Sequence, residues 1–143
     1  MLFLILTALL LTSQSYGDEH MKVFGKYEVH YSVVNSTFIS PEVAKAYGIV
    51  RGKDRALINI AVREQLPKGQ SKPKRAIVKG SSSDLIHSAK LVFDEIQEQQ
   101  AIYYIAELSF NNRELRTFTI NIQPDPNIAA YTLKFSKTLY VEQ

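Results

Sequence analysis

The segment that decides the fold is KYEVHYSV, residues 26–33. Aromatic or β-branched side chains stand at every second position, and polar or charged side chains stand between them. Because successive side chains of a β-strand point to opposite faces, this alternation predicts a strand with one buried and one exposed side.

The same period of two returns along most of the chain. The alternating segments are 27–33, 56–63, 76–78, 91–96, 102–108, 116–122, 131–135 and 139–141. The strand that contains segment 76–78 is expected to end at Gly80. Segment 102–108 is apolar on both sides, which is typical of a central strand. Seven or eight short strands without a long helix predict an all-β protein, an antiparallel two-sheet sandwich of immunoglobulin-like architecture.

One segment, residues 41–47, breaks the alternation and predicts a short helix. Ser40 is a good N-cap, Pro41 suits the first helical position, and Gly48 can adopt the left-handed conformation that ends a helix. The side chains expected to face inward are those of Val43, Ala46 and Tyr47.

The first seventeen residues have the pattern of a signal peptide. Residues 2–11 are nearly all apolar, and small residues at Ser15 and Gly17 suit signal peptidase. A membrane anchor, the alternative, needs about 20 apolar residues, roughly twice the length of this run. The signal pattern is incomplete in one respect, because no Lys or Arg precedes Leu2. We therefore predict cleavage near Gly17, a periplasmic location, a single domain over residues 18–143, and no transmembrane span in the mature chain.

The chain contains no cysteine, which excludes a lipid-anchored lipoprotein and any disulfide. Small secreted animal domains usually depend on disulfides, so this composition favours a bacterial periplasmic protein. The core must then be sufficient for stability on its own.

The formal net charge of +3 is small. The densest basic cluster, Lys68, Lys72, Lys74 and Arg75, lies among prolines and a glycine. Such a loop could contact phosphates or anionic lipid headgroups, but a solvated connection between strands is the simpler interpretation. It holds no aromatic residue to stack on a base, so we expect no nucleic-acid partner.

No motif of a catalytic, metal or cofactor site is present. The three histidines are far apart, no cysteine completes a zinc set, and no nucleophile-elbow or phosphate-loop pattern occurs. We therefore expect no catalytic residues, no metal and no cofactor, and catalysis is the less favoured hypothesis.

Tyrosine is the residue type most open to a functional interpretation. Tyr103 and Tyr104 are adjacent, so on one strand they point to opposite faces. An exposed Tyr104 could bind a partner, while the alternative places one ring in the core on each side of the sheet.

Several segments together resemble a small family of exported gammaproteobacterial proteins described only as a domain of unknown function. The matching segments are FGKYEVHY (24–31), NSTF (35–38), PEVA (41–44), YGI (47–49) with Arg51, and AIYYIA (101–106). The resemblance implies a periplasmic β-sandwich domain, and it implies no established activity.

The early segments of this resemblance also suggest a location for a binding site. The order strand, turn, helix and Arg51 would bring four charged side chains within reach of one another. An Arg–carboxylate pair there would fasten the helix to the sheet, or mark a recognition patch. The candidate binding residues are Glu28, His30, Glu42, Arg51 and Tyr104.

Three functions are compatible with these observations. The leading hypothesis is a non-catalytic periplasmic binding or accessory domain that engages a protein or another envelope component through a sheet edge or the helix-capped end. The alternative is a small-ligand binder or hydrolase with a site between the short helix and the sheet. A purely structural envelope protein is the third. A polar pocket joining His30, Glu42 and Arg51 would favour the alternative.

Overall fold

The computed structural model of the protein describes residues 20–143. The predicted signal segment, residues 1–17, and its cleavage point near Gly17 lie outside the described residues.

Within residues 20–143, ten strands form two antiparallel sheets. The large sheet contains β1 (His20–Phe24), β2 (Tyr27–Asn35), β3 (Arg55–Gln65), β4 (Ser71–Pro73), β7 (Asp94–Gln97) and β8 (Ile102–Ser109). The small sheet contains β5 (Ile77–Ser83), β6 (Ser88–Leu91), β9 (Glu114–Gln123) and β10 (Tyr131–Leu139). The strand order is β1-β2-β3-β8-β7 in the large sheet, with β4 paired to β3, and β10-β9-β5-β6 in the small one.

The main core lies between the two sheets. The long strands contribute the apolar side chains of their alternating patterns, so the inner face of β3 meets the inner face of β9. The fully buried residues include Val29, Ile58, Ile60, Val62, Phe118, Ile120, Ile122 and Leu133. The predicted all-β sandwich and the predicted face of each of these strands are confirmed.

The short helix α1 (Pro41–Tyr47) covers part of the outer face of the large sheet. The Ser40 hydroxyl accepts a hydrogen bond from the Val43 amide at 3.3 Å. Gly48 has a φ of 69°, where a side chain would be strained. The predicted inward position of Ala46 is wrong: Ala44 is buried beside Val43, and Ala46 is exposed.

The structure has more strands than the seven or eight predicted. Two short edge strands, β1 and β4, were not expected, and segment 91–96 is divided between β6 and β7. The predicted last strand, 139–141, is absent as a separate element because Leu139 ends β10. Strands of five and three residues are too short to show an alternation that stands out from the surrounding chain, so hydrophobic periodicity detects them poorly. Two 3₁₀ turns, Ser36–Phe38 and Pro67–Gly69, complete the connections.

Strand β5 continues through Gly80, where the sequence predicted its end. A side chain at Gly80 would place its Cβ 2.7 Å from the Thr119 carbonyl oxygen of β9. Glycine is therefore required here by the close approach of two paired strands, which explains why a residue that usually weakens strands lies inside this one.

Candidate functional site

The structure brings together two of the predicted site residues, Glu28 and His30. Both lie on the outer face of β2, because Val29 between them points into the core. Glu28 Oε1 lies 3.1 Å from His30 Nε2, and Gln65 Nε2 donates to Glu28 Oε2 at 3.4 Å. The carboxylate is thus held on both oxygens.

Glu42 and Arg51 do not join that pair. Glu42 is exposed in the first turn of α1. The Arg51 guanidinium donates from Nη2 to the Thr37 carbonyl at 3.1 Å. Within residues 20–143, no ion pair connects Arg51 with Glu28 or Glu42. The Glu28–His30 pair therefore stands apart from Glu42 and Arg51, and a site that joins all four side chains remains a prediction.

Tyr104 lies in the main core, and its hydroxyl is fully used within the protein. It accepts a hydrogen bond from the Ala76 amide at 2.9 Å and donates to Glu95 Oε1 at 2.8 Å. Burial and the neighbouring carboxylate raise the pKa of Tyr104 to about 12. Tyr103 packs on the other side of the sheet, in the cluster under α1. The interpretation with one ring on each side is confirmed.

The surroundings of α1 contain two buried acceptors without a described partner. Asn59 Oδ1 and Glu98 Oε2 form no hydrogen bond in the described part of the chain. Tyr47 donates to the other Glu98 oxygen at 3.3 Å, and burial raises the pKa of both Tyr47 and Glu98. A water molecule or another hydrogen-bond donor would satisfy these two oxygens.

The sequence suggested a sheet edge as a binding surface without indicating which one, and the structure has an open edge at β10. This strand has nine residues and pairs only with β9 among the strands of residues 20–143. Its other edge faces β2 of the large sheet, where β1 covers only 27–31. An unpaired strand edge offers a row of backbone donors and acceptors to another strand. Two edges therefore border the same side of the sandwich.

The lateral groove between these edges consists of two adjoining cavities of about 190 and 160 Å³, which share Val33 and Lys137. On this side of the sandwich, the ring of Tyr31 from β2 packs against the ring of Phe135 from β10, with the ring centroids 4.6 Å apart. The residues that line the lateral groove are His20, Ser32, Val33, Val34, Asn35, Phe38, Phe135, Ser136, Lys137, Thr138, Leu139 and Tyr140.

The lateral groove has a definite chemical character. Among the lining residues within 20–143 there is no aspartate or glutamate, and Lys137 lies between the two cavities. Lys137 Nζ donates to the Val33 carbonyl at 2.7 Å, and Asn35 Nδ2 donates to the Tyr140 carbonyl at 2.9 Å. Phe38 and Tyr140 are 44% and 59% exposed at one end. The groove is therefore basic at its centre and apolar at that end.

One signal in the sequence could have indicated this edge. Strand 131–139 carries Lys134 and Lys137 among its apolar residues, and lysine is a residue that proteins place on edge strands. These lysines indicate an edge strand, but they do not indicate which edge of the other sheet lies opposite.

Within residues 20–143, no group of three or more histidine or acidic side chains is arranged to hold a metal ion. The same residues include no helix with the length and hydropathy needed to cross a membrane.

The comparisons with known proteins agree with this fold. The profile of DUF4426, a domain of unknown function, matches residues 21–142. The crystal structure of a DUF4426 family protein from Pseudomonas aeruginosa PAO1 is 36% identical, with a TM-score of 0.74, over 87% of this chain and 97% of that one. No curated protein matches the sequence.

Two further structures share the fold at low identity. FetP of uropathogenic Escherichia coli strain F11, recombinantly expressed in the periplasm, is 9% identical, with a TM-score of 0.59, over 90% of this chain and 97% of that one. A copper-bound variant of FetP is 10% identical, with a TM-score of 0.59, over 89% and 97%. At these identities the similarity shows the fold alone.

Proposed function

The chain belongs to the DUF4426 family of domains of unknown function, and from this premise we propose that it is a non-catalytic periplasmic binding or accessory domain. Residues 1–17 act as the export signal, with cleavage near Gly17, and residues 18–143 form one mature domain. The apolar run at 2–11 supports export, and the periplasmic expression of FetP, a protein of similar fold, is consistent with it.

The open edge of β10 carries this proposal. Six consecutive residues, 135–140, line the lateral groove beside an edge that no described strand occupies. An extended peptide can add to such an edge, with affinity from backbone hydrogen bonds and specificity from alternate side chains. Six residues of strand span roughly 20 Å, so a short segment of a partner protein fills the groove.

The lining of the groove defines the partner segment. The ammonium group of Lys137, at the centre of the groove, favours a carboxylate on the incoming strand. Phe38 and Tyr140 at the end favour an apolar side chain. Since side chains alternate along a strand, a segment in which acidic and apolar residues alternate satisfies both preferences.

Two capped peptides test this function by NMR titration. In the first, glutamate alternates with valine, and in the second, lysine replaces every glutamate. We expect the glutamate peptide to bind saturably and to shift the amide resonances of residues 32–35 and 135–140, while the lysine peptide binds at least about tenfold more weakly because like charges meet at Lys137.

Two lysines of the same strand provide a matched pair of variants. Lys137→Glu should abolish binding of the glutamate peptide, and Lys134→Glu, with the same charge change on the opposite face of β10, should leave it within about twofold. The proposal is wrong if the glutamate peptide shifts neither set of amides at millimolar concentration, or if the two variants weaken its binding equally.

A further inference from the structure

The outer face of the small sheet is a mostly polar surface, and we call it the lysine face. One row runs straight across the sheet through Lys134, Thr119, Ser81 and Lys90, which the strand register aligns. Lys79 lies in the neighbouring row. The outward-facing residues are Ile77, Lys79, Ser81, Ser83, Ser88, Lys90, Leu115, Thr117, Thr119, Asn121, Gln123, Thr132, Lys134, Ser136 and Thr138.

The strand residues of the lysine face carry positive charge only, and the carboxylates next to them in sequence are Asp84 and Glu114. The face has three lysines and no aspartate or glutamate, and within residues 20–143 none of the three forms an ion pair. The basic loop differs, because Glu64 lies 3.4 Å from Lys72 and 3.6 Å from Lys26. The basic cluster that is densest in the sequence is thus partly neutralised, while the dispersed lysines of the sheet are not.

An apolar tip stands at one end of the lysine face, in the hairpin between β5 and β6. Leu85 and Ile86 are 98% and 84% exposed. Their turn is well defined, because Asp84 Oδ1 accepts hydrogen bonds from the Ile86 and His87 amides at 2.7 and 2.6 Å. The hairpin therefore holds two aliphatic side chains in water at the tip of an ordered turn.

Two more exposed aliphatic side chains, Ile77 and Leu115, belong to the lysine face itself and are 54% and 53% exposed. Lysines interspersed with exposed aliphatic groups match the boundary of a bilayer, where phosphates lie above acyl chains.

We infer that the lysine face docks on the surface of an anionic phospholipid bilayer, with Lys79, Lys90 and Lys134 at the lipid phosphates and the Leu85–Ile86 tip inserted between headgroups. This surface adjoins the lateral groove, with which it shares Ser136 and Thr138, while its three lysines lie outside the groove lining.

Sedimentation with vesicles tests the role of the lysines. The vesicles contain equal parts of phosphatidylglycerol and phosphatidylcholine, with pure phosphatidylcholine for comparison. The triple variant Lys79→Gln, Lys90→Gln, Lys134→Gln should bind the anionic vesicles about 100-fold more weakly, since each lysine near such a surface contributes about fivefold. All proteins in this comparison are purified after export and have the same amino terminus. Any contribution of the amino-terminal residues to vesicle binding is therefore the same for each.

The basic loop supplies the matched control. Lys68→Gln, Lys72→Gln, Lys74→Gln removes the same charge and should weaken binding less than about fivefold. The inference fails if the loop variant loses as much as the face variant, if phosphatidylcholine vesicles bind equally well, or if a soluble anionic polysaccharide binds the face and the vesicles do not.

Fluorescence tests the inserted tip independently, because the chain has no tryptophan. Leu85→Trp should shift its emission to the blue when anionic vesicles are added, as the indole enters the headgroup region. Val50→Trp, at a site that is 56% exposed outside the lysine face and its tip, should not shift. Equal behaviour of the two reporters would overturn the insertion.

Discussion

Replacement of Ile60 by alanine is expected to lower the free energy of unfolding by about 2–5 kcal/mol. Ile60 is completely buried, and β3 pairs at this position with Tyr31 of β2 and Tyr104 of β8. Strands on both sides limit how far the backbone can move to fill the cavity. Urea denaturation measures the loss as a lower midpoint at unchanged m-value.

An exposed isoleucine gives the control for this change. Ile86→Ala removes the same atoms from a side chain that is 84% exposed, and it should alter stability by less than about 0.5 kcal/mol. A loss below ~1 kcal/mol for Ile60→Ala would mean that β3 turns its other face to the core.

Replacement of Gly80 by valine is expected to cost about 3 kcal/mol, the upper end of the usual range for overpacking. The new Cβ would lie 2.7 Å from the Thr119 carbonyl oxygen and 2.7 Å from Ile120 Cδ1. The Ile120 methyl group can rotate away. The carbonyl oxygen belongs to the paired strand β9, so relieving that contact disturbs the strand pairing. Thermal and urea unfolding both measure the effect.

The neighbouring residue separates this clash from strand propensity. Ser81→Val introduces the same side chain one position along β5, on the outer face, where a β-branched residue fits a strand well. It should leave stability unchanged or slightly higher. If both variants lose the same free energy, the close approach of β5 and β9 is not the reason for glycine at position 80.

Local patterns in the sequence were sufficient for much of the fold. Alternation identified the buried faces of the long strands because the position of a residue along a strand decides to which face its side chain points. Ser40 and Gly48 marked the helix ends because capping depends on a few adjacent residues. A helix of two turns does not itself determine which of its side chains face inward. Ala46 was misplaced because the cluster beneath the helix, around Leu57 and Ile105, sets that orientation.

The order of the strands depends on distant contacts that no local pattern encodes. The sequence placed Glu28 and His30 on one face correctly, since they lie two residues apart. It could not predict that Arg51 would bond the Thr37 carbonyl. Neither could it predict that β10 would lie beside the uncovered end of β2, and so the lateral groove emerged only from the assembled sheets.

The central claim is that β10 has an edge open to a partner strand. Amide hydrogen exchange of the exported protein tests it residue by residue. We expect protection at alternate positions of 131–139, where amides bond to β9, with fast exchange between them. We expect continuous protection of 117–122, where β9 is paired on both sides. Continuous protection along β10 would contradict the claim, because it would show that this edge is already covered.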